Sequence, residues 1–334
     1  MFKVIEFTPT YGKGIARFYE VMGESFSPEL IKYWCKARKY VKVLLAINNE
    51  GEVVGKVTLD LAYKPYAEIV NLMVHPDYRG QGIGKRLIEE CVKIAEDKGF
   101  YIQYLMTDVS NFIAHKLYHK YGFIPAILPQ KIVKGRDMWL FRFSRKTFVI
   151  EYLDTHPFTN YNVSKKRVRY MDMKVYRIGW NDVLSQDHLY LYFKGQPGQP
   201  TGKGTMPRIT GVKIFQKNLG LALSIHETSD SIDDTDYSVF LLEIVNIGKK
   251  RIILNKVMPS ALSGVDVKGD LDEDIIKLDP NENTIVSFKC KLTENFDVLP
   301  LSFNTIVITI HVYAKGFLEH PILLSAGFER SDIE

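Results

Sequence analysis

The chain has 334 residues, 46% of them hydrophobic and 25% charged, with a formal net charge of +5. That balance suits a folded globular protein of about two domains and excludes fibrous, collagen-like and mostly disordered chains. No stretch reaches the ~18 consecutive apolar residues of a membrane helix, and Met1-Phe2-Lys3-Val4-Ile5 lacks the stages of a signal peptide, so a cytoplasmic protein away from membranes is expected.

In chain order, Phe2 to Phe7 alternates as a strand and Pro28 to Tyr40 has helical spacing. Val41 to Ile47 and Val53 to Leu61 read as strands joined by the turn Asn48-Asn49-Glu50-Gly51. Glu68 to Val74 is a further strand. Ile83, Leu87, Ile88, Cys91, Ile94 and Ala95 then recur on one helical face until Gly99 supplies a stop. Tyr101 to Met106 is a strand, Ser110 is a candidate cap for a helix carrying Ala114, Leu117, Tyr118 and Tyr121, and Gly122 ends it. Phe123 to Leu128 and Met138 to Phe143 complete a mixed α+β portion.

Residues 195–204, Gly-Gln-Pro-Gly-Gln-Pro-Thr-Gly-Lys-Gly, permit neither helix nor ladder and read as a linker or long surface loop. Before them, Val175 to Ile178 and Leu189 to Phe193 look like strands with no legible partner. After them only short strands remain: Val212 to Phe215, Leu221 to His226, Val239 to Val245, Ile252 to Val257, Thr284 to Cys290, Ile306 to Val312 and Ile322 to Ala326. Seven strands in about 130 residues suggest an antiparallel β-sandwich, immunoglobulin-like in type. The expected domains are 1–147, an extension with linker over 148–204, and 205–334.

Charge divides along the same lines. Residues 1–147 hold 23 Lys/Arg against 15 Asp/Glu, residues 148–204 hold 8 against 5, and residues 205–334 hold 13 against 19. A basic first portion suits an anionic ligand, and an acidic last portion would suit a basic partner; nucleic acid is not required. Cys35, Cys91 and Cys290 are an odd number without a CxxC pair, which leaves neither a disulfide framework nor a zinc ribbon.

The strongest local signal is Val74-His75-Pro76-Asp77-Tyr78-Arg79-Gly80-Gln81-Gly82-Ile83-Gly84-Lys85, between a strand and a long helix. Glycines let backbone approach an anion, and the free amides and positive dipole end of the following helix attract phosphate. A Walker loop fails because Arg79 stands where its first glycine belongs and Arg86 follows Gly84-Lys85. A dinucleotide fingerprint fails because Lys85 stands three positions beyond Gly82.

The pattern that fits is Arg-x-x-Gly-x-Gly at Arg79, Gly82 and Gly84. With Asn111-Phe112-Ile113-Ala114-His115-Lys116-Leu117-Tyr118-His119-Lys120-Tyr121-Gly122-Phe123 as a second motif, the sequence resembles the GNAT superfamily of N-acetyltransferases over about residues 1–145. The resemblance implies a mixed, mostly antiparallel sheet flanked by helices, with acetyl-CoA as co-substrate between the strands 68–74 and 101–106. Main-chain groups of Leu72, Met73 and Val74 would hold pantetheine. Amides of Gln81, Gly82, Ile83, Gly84 and Lys85 would hold pyrophosphate, with Arg79 and Gly80 in the same loop and Asn111 near the cofactor. It also implies Tyr118 as general acid.

Residue chemistry agrees with these roles. Acetyl transfer to an amine develops an oxyanion and expels a thiolate, so the site needs amide donors, an acid and a base. A tyrosine hydroxyl, with a reference pKa of about 10, keeps a proton to donate at neutral pH. A packed core tyrosine is the alternative reading of Tyr118. The resemblance implies Glu68 as the candidate base, acting on the amine through water, and a partly buried carboxylate could have its pKa raised for that task; a solvent-facing strand residue is the alternative. The resemblance also implies Tyr33, Tyr63 and Tyr66 as candidates for the acceptor pocket; packing or surface positions are the alternative.

Other constellations are weaker. His115 and His119 lie four apart on a helix without a third ligand, so no metal is expected. Asp230, Asp233, Asp234 and Asp236 form an acidic loop without calcium-loop spacing. Lys165-Lys166-Arg167-Val168-Arg169 is a basic run that reads as exposed. The expected function is direct transfer of acetyl from acetyl-CoA to a primary amine on a protein or small molecule, with a homodimer admitted. The alternative is a non-catalytic acyl-CoA-binding or protein-interaction module working through the β-sandwich.

Overall fold

The computed structural model describes residues 1–127, 135–196, 205–228, 237–269, 275–293 and 305–329. They fall into two units, one of residues 1–107, 111–124 and 140–142, the other of residues 108–110, 125–139 and 143–334.

In the first unit, β1 (Phe2–Glu6), β2 (Val41–Asn48), β3 (Val53–Tyr63) and β4 (Tyr66–Val74) run as an antiparallel meander. A crossover through α3 (Ile83–Asp97) then places β5 (Ile102–Asp108) parallel to β4. With β6 (Ile124–Pro125) and β7 (Asp137–Phe143) the sheet order is β1-β2-β3-β4-β5-β7-β6. The expected apolar stripe of α3 is the one buried: Ile83, Leu87, Ile88, Cys91 and Ala95. Gly55 sets how closely α3 approaches β3, since a Cβ there would lie 2.7 Å from the Ile83 side chain.

The other face of the sheet carries α1 (Gly12–Val21) and α2 (Pro28–Lys36). Ser27 accepts the Glu29 amide and Pro28 takes the first helical position, so α2 begins where its cap dictates. Sequence periodicity missed α1, because Gly12 and Gly14 oppose helix locally. Ile15, Phe18 and Tyr19 are nonetheless buried in a core with Phe7, Trp34, Val43 and Leu45, and that packing outweighs the propensity. The helix α4 (Phe112–Lys120) corrects the expected cap: Asn111, not Ser110, caps it, its Oδ1 accepting the Ala114 amide at 3.2 Å. Ser110 is engaged instead with Asp108.

The long C-terminal stretch of the second unit, residues 143–334, has as its first element α5 (Phe148–Thr155), a helix the sequence did not disclose. Its Glu151 accepts the main-chain amides of Glu319 and His320 at 2.6 and 2.9 Å. There follow β8 (Thr159–Val163), β9 (Val168–Tyr170), β10 (Met173–Asp182), β11 (His188–Gln196), β12 (Thr205–Gln216), β13 (Leu219–Glu227), β14 (Ser238–Asn246), β15 (Ile252–Ala261), β16 (Val265–Gly269), β17 (Ile276–Leu278), β18 (Asn283–Leu292), β19 (Thr305–Ala314) and β20 (Ile322–Glu329). One sheet has the order β16-β18-β14-β13-β12-β11-β10-β8 with β9 on β10, and the other is β17-β15-β19-β20. β20 lies against β12 and β13. Asn246 Nδ2 and Gln216 Nε2 join the layers by donating to the carbonyls of Leu278 and Phe317, at 2.9 and 2.7 Å.

Periodicity left the partner of residues 148–204 unread. β10 pairs with β11, and β11 with β12, out to Gln196 opposite Thr205. Most of the glycine- and proline-rich segment, residues 197–204, and the acidic run 229–236 lie outside the described residues.

Candidate active site

Strands β4 and β5 pair over three residues, Tyr66 with Ile102, Ala67 with Gln103 and Glu68 with Tyr104, and there their ladder stops. On its other edge β4 stays paired with β3 as far as Gly55 and Val74, through a bulge. Lys56 faces Met73 and Thr58 faces Val70, so Asn71 and Leu72 together oppose Val57. Asn71 adopts φ 52°, a left-handed conformation that asparagine tolerates better than most residues. A bulge bends its strand. The main chain of Leu72, Met73 and Val74 is thereby carried past the end of the β5 ladder.

The loop after β4 is held by its own polar groups. Asn48 Nδ2 donates to the Tyr78 hydroxyl at 3.0 Å, the Asp77 amide donates to His75 Nδ1 at 3.3 Å, and Arg79 Nε donates to the Val74 carbonyl at 3.3 Å. Gly80 and Gly82 have φ 77° and 82°, and a Cβ on either would meet nothing within 4 Å, so open space faces the loop. Gly82 precedes α3 without any side-chain cap. The first bond of the helix is Arg86 N to Gly82 O, which leaves the amides of Ile83, Gly84 and Lys85 ahead of any intrahelical acceptor.

These groups surround a cavity of about 590 Å³. Of the residues singled out from sequence, Leu72, Met73, Val74, Arg79, Gly80, Gly82, Ile83, Gly84, Lys85, Asn111 and Tyr118 line it. Gln81 and Glu68 do not. The Gln81 side chain donates to the Asp77 carbonyl within the loop. Tyr118 is 8% exposed, packs against Phe123 at 6.1 Å between ring centres, and has its pKa pushed up to about 12 by burial.

Glu68 is 5% exposed and sits in the last β4–β5 pair, with Asp60 facing it from β3 and Tyr104 from β5. Burial first, then the charge of Asp60, raises its pKa to about 8. The Tyr104 hydroxyl approaches the carboxyl and opposes that shift, without closing a hydrogen bond of ordinary geometry. Tyr63 and Tyr66 are buried and Tyr33 is half-buried, and none of the three lines the cavity.

The model of the Acetyltransferase (GNAT) family matches residues 13–123. A Bacillus subtilis (strain 168) protein assigned as a ribosomal protein bS18-alanine N-acetyltransferase is 30% identical over 118 residues, covering 33% of this chain and 75% of that one. The chain belongs to the GNAT acetyltransferase family. The aminoalkylphosphonate N-acetyltransferase of Salmonella typhimurium is 33% identical over 84 residues, 24% of this chain and 54% of its own length. The crystal structure of the ribosomal-protein-S18-alanine N-acetyltransferase from Escherichia coli has 20% identity and a TM-score of 0.37, covering 43% of this chain and 95% of that one.

This GNAT chain is accordingly an acyltransferase with acetyl-CoA as co-substrate. Its residues fit that molecule. Amides without helical acceptors, open space before Gly80 and Gly82, and the cations Arg79 and Lys85 suit a pyrophosphate, and a strand that has left its neighbour suits an extended pantetheine arm. The sequence reading missed Met22, Tyr78, Ile113, Lys116, Leu117 and Lys120, which also line the cavity. Lys116 and Lys120, four apart on α4, were the readable signal. Met22 follows α1, and no sequence pattern marks it.

The remaining candidates lie elsewhere. Among the described residues, no group of three or more His, Cys, Asp or Glu is gathered as a metal would need. Of the basic run, Lys165, Lys166, Arg167 and Arg169 are exposed, Arg167 lies over the Tyr176 ring at 5.5 Å, and Arg169 meets Asp172 at 3.4 Å. Among the described residues no helix is long and apolar enough to cross a membrane.

Proposed function

We propose that this chain transfers the acetyl group of acetyl-CoA directly to a primary amine, with Tyr118 as general acid and Glu68 as the base. The observation that carries the reading is the union, in one cavity, of a strand past its ladder, a glycine loop at a helix N-terminus and a buried tyrosine. Leu72, Met73 and Val74 would hold the pantetheine through main-chain groups. Gln81 to Lys85 would hold the pyrophosphate through their amides, with Arg79 and Gly80 in the same loop and Asn111 beside them. When bound, acetyl-CoA supplies an activated acyl carbon and a thiolate leaving group.

The protein supplies the proton traffic. A tyrosine held protonated to about pH 12 is a donor throughout the neutral range and can protonate a departing thiolate. A carboxyl with a pKa near 8 accepts a proton from an ammonium group far better than an ordinary carboxylate would. Because Glu68 lies outside the cavity lining, we assign the proton transfer to an intervening water. An amine acceptor is supported by relatives named for action on a protein alanine and on aminoalkylphosphonates.

Residues 1–147 serve in this reading as the acetyltransferase portion. We further propose that the strands of residues 205–334 form an immunoglobulin-like β-sandwich, with residues 148–204 as an extension whose strands β8 to β11 add to one of its sheets. The test is release of free thiol from acetyl-CoA against a panel of amines, beside thermal unfolding with and without acetyl-CoA. Tyr118→Phe is expected to lower turnover by ~100- to 10,000-fold and to keep the acetyl-CoA-dependent rise in unfolding temperature. Unchanged turnover would remove Tyr118 from the mechanism, and no rise for the unaltered chain would overturn the whole reading.

A further inference from the structure

Three polar residues form a row across adjacent strands of the first sheet: Asp60 on β3, Glu68 on β4 and Tyr104 on β5, each directly opposite the next. All are buried, at 5%, 5% and 1% exposure. Directly opposed residues on neighbouring strands bring their Cβ atoms to ~5 Å, and two ionised carboxylates cannot both be kept at that separation away from water. The row occupies the last rung before β4 and β5 part. On the side of Glu68 away from Asp60, the buried Tyr104 hydroxyl approaches the carboxyl.

We propose that Asp60 is a positioning residue that acts through Glu68, the two carboxyls forming a pair that shares a single proton. The inference rests on the assignment of Glu68 as base. Asp60 is anchored for that role, its Oδ1 accepting the Ala62 amide at 2.8 Å. The pair carries one negative charge at rest. Loss of the shared proton to solvent leaves Glu68 ionised as the base, and the proton it then takes from an arriving ammonium group restores the singly charged pair as the cycle closes. Among the described residues, other titratable groups around the row are Tyr66, two residues before Glu68 on β4, Tyr63 near Tyr104, Tyr33 of α2 near Asp60, and Lys56, four residues before Asp60 on the same face of β3. The Lys56 ammonium lies over the rings of Trp34 and Tyr19 at 5.1 and 5.6 Å.

The experiment is an infrared titration of the full chain, following the carbonyl band of buried protonated carboxyls from pH 5 to pH 10. A band that persists above pH 7, is lost in Glu68→Gln and disappears at least one pH unit lower in Asp60→Asn is expected. Asparagine keeps the oxygen that accepts the Ala62 amide, so the fold has reason to survive. Where thiol release is measurable, the acid limb of its pH profile moves down by the same interval in Asp60→Asn, giving a relative gain of about tenfold at pH 6. A uniform loss of rate with an unmoved limb would mark Asp60 as merely structural and overturn the proposal. So would the absence of any such band above pH 7 in the unaltered protein. Failure of thiol release with every amine overturns the acetyltransferase reading instead and leaves the infrared result to judge the pair.

Discussion

The two units use β-pairing in opposite ways. In the second, the β11–β12 ladder runs from His188 opposite Phe215 to Gln196 opposite Thr205 with two register shifts, and β10 and β13 pair along the other edges, so most of the main chain of those strands is spent on neighbouring strands. In the first, the β4–β5 ladder ends after three pairs. A ladder that stops early hands main-chain donors and acceptors to whatever enters the gap, while a complete ladder leaves recognition to side chains alone. The gap is also where the glycine loop, the α3 amides and Tyr118 converge.

The largest expected break of that contrast is Gly82→Glu. A side chain at φ 82° is strained by about 1–2 kcal/mol, and its carboxylate would face the phosphates. Acetyl-CoA is expected to bind on the order of 100-fold more weakly, read as loss of the ligand-induced rise in unfolding temperature. An undiminished rise would show that the loop does not carry the pyrophosphate.

The next effect sharpens the contrast through pH. Glu68 keeps its proton to about pH 8 when folded, against an ordinary 4.5, so the folded chain binds more protons across that window. Stability therefore falls as pH rises from about 4.5 to 8, by up to ~1.4 kcal/mol per unit. Lys56, 1% exposed, works with the opposite sign. Burial lowers its pKa from 10.5 to about 7, the unfolded chain binds the extra proton, and stability rises between those values. Urea unfolding from pH 5 to 10 should show both slopes, the first abolished in Glu68→Gln and the second in Lys56→Met. Slopes that survive the substitutions would assign them to other groups.

The smallest effect separates two roles of one residue. Asn111 caps α4 and also lines the cavity, so Asn111→Ala should cost about 1 kcal/mol of stability through the lost cap. If it also contacts the cofactor, acetyl-CoA affinity falls beyond what that stability loss explains. Titrating the variant with acetyl-CoA distinguishes the two.

Legibility differed between elements for physical reasons. β2, β3 and α3 were readable because burial on a sheet face or helix stripe imposes a period on the sequence. The glycine loop was readable because only glycine adopts such φ values freely. α1 and α5 were not, since Gly12 and Gly14 weaken the local helical signal in one and the other has eight residues. The Ser110 cap was misread because Ser110 and Asn111 are adjacent good caps, and hydrogen bonding to Asp108 decides between them.

Sequence alone therefore determined what is local: the strand and helix periods, the order of loop glycines, and the residue types able to cradle an anion or hold a proton. Tertiary structure decided everything that depends on strands distant in sequence becoming neighbours. It ended the β4–β5 ladder at Glu68, turned Lys56 into a buried cation over two rings, and set Asp60 opposite Glu68. Those outcomes follow from register, and register is chosen by the burial of whole faces, which no single residue's identity encodes.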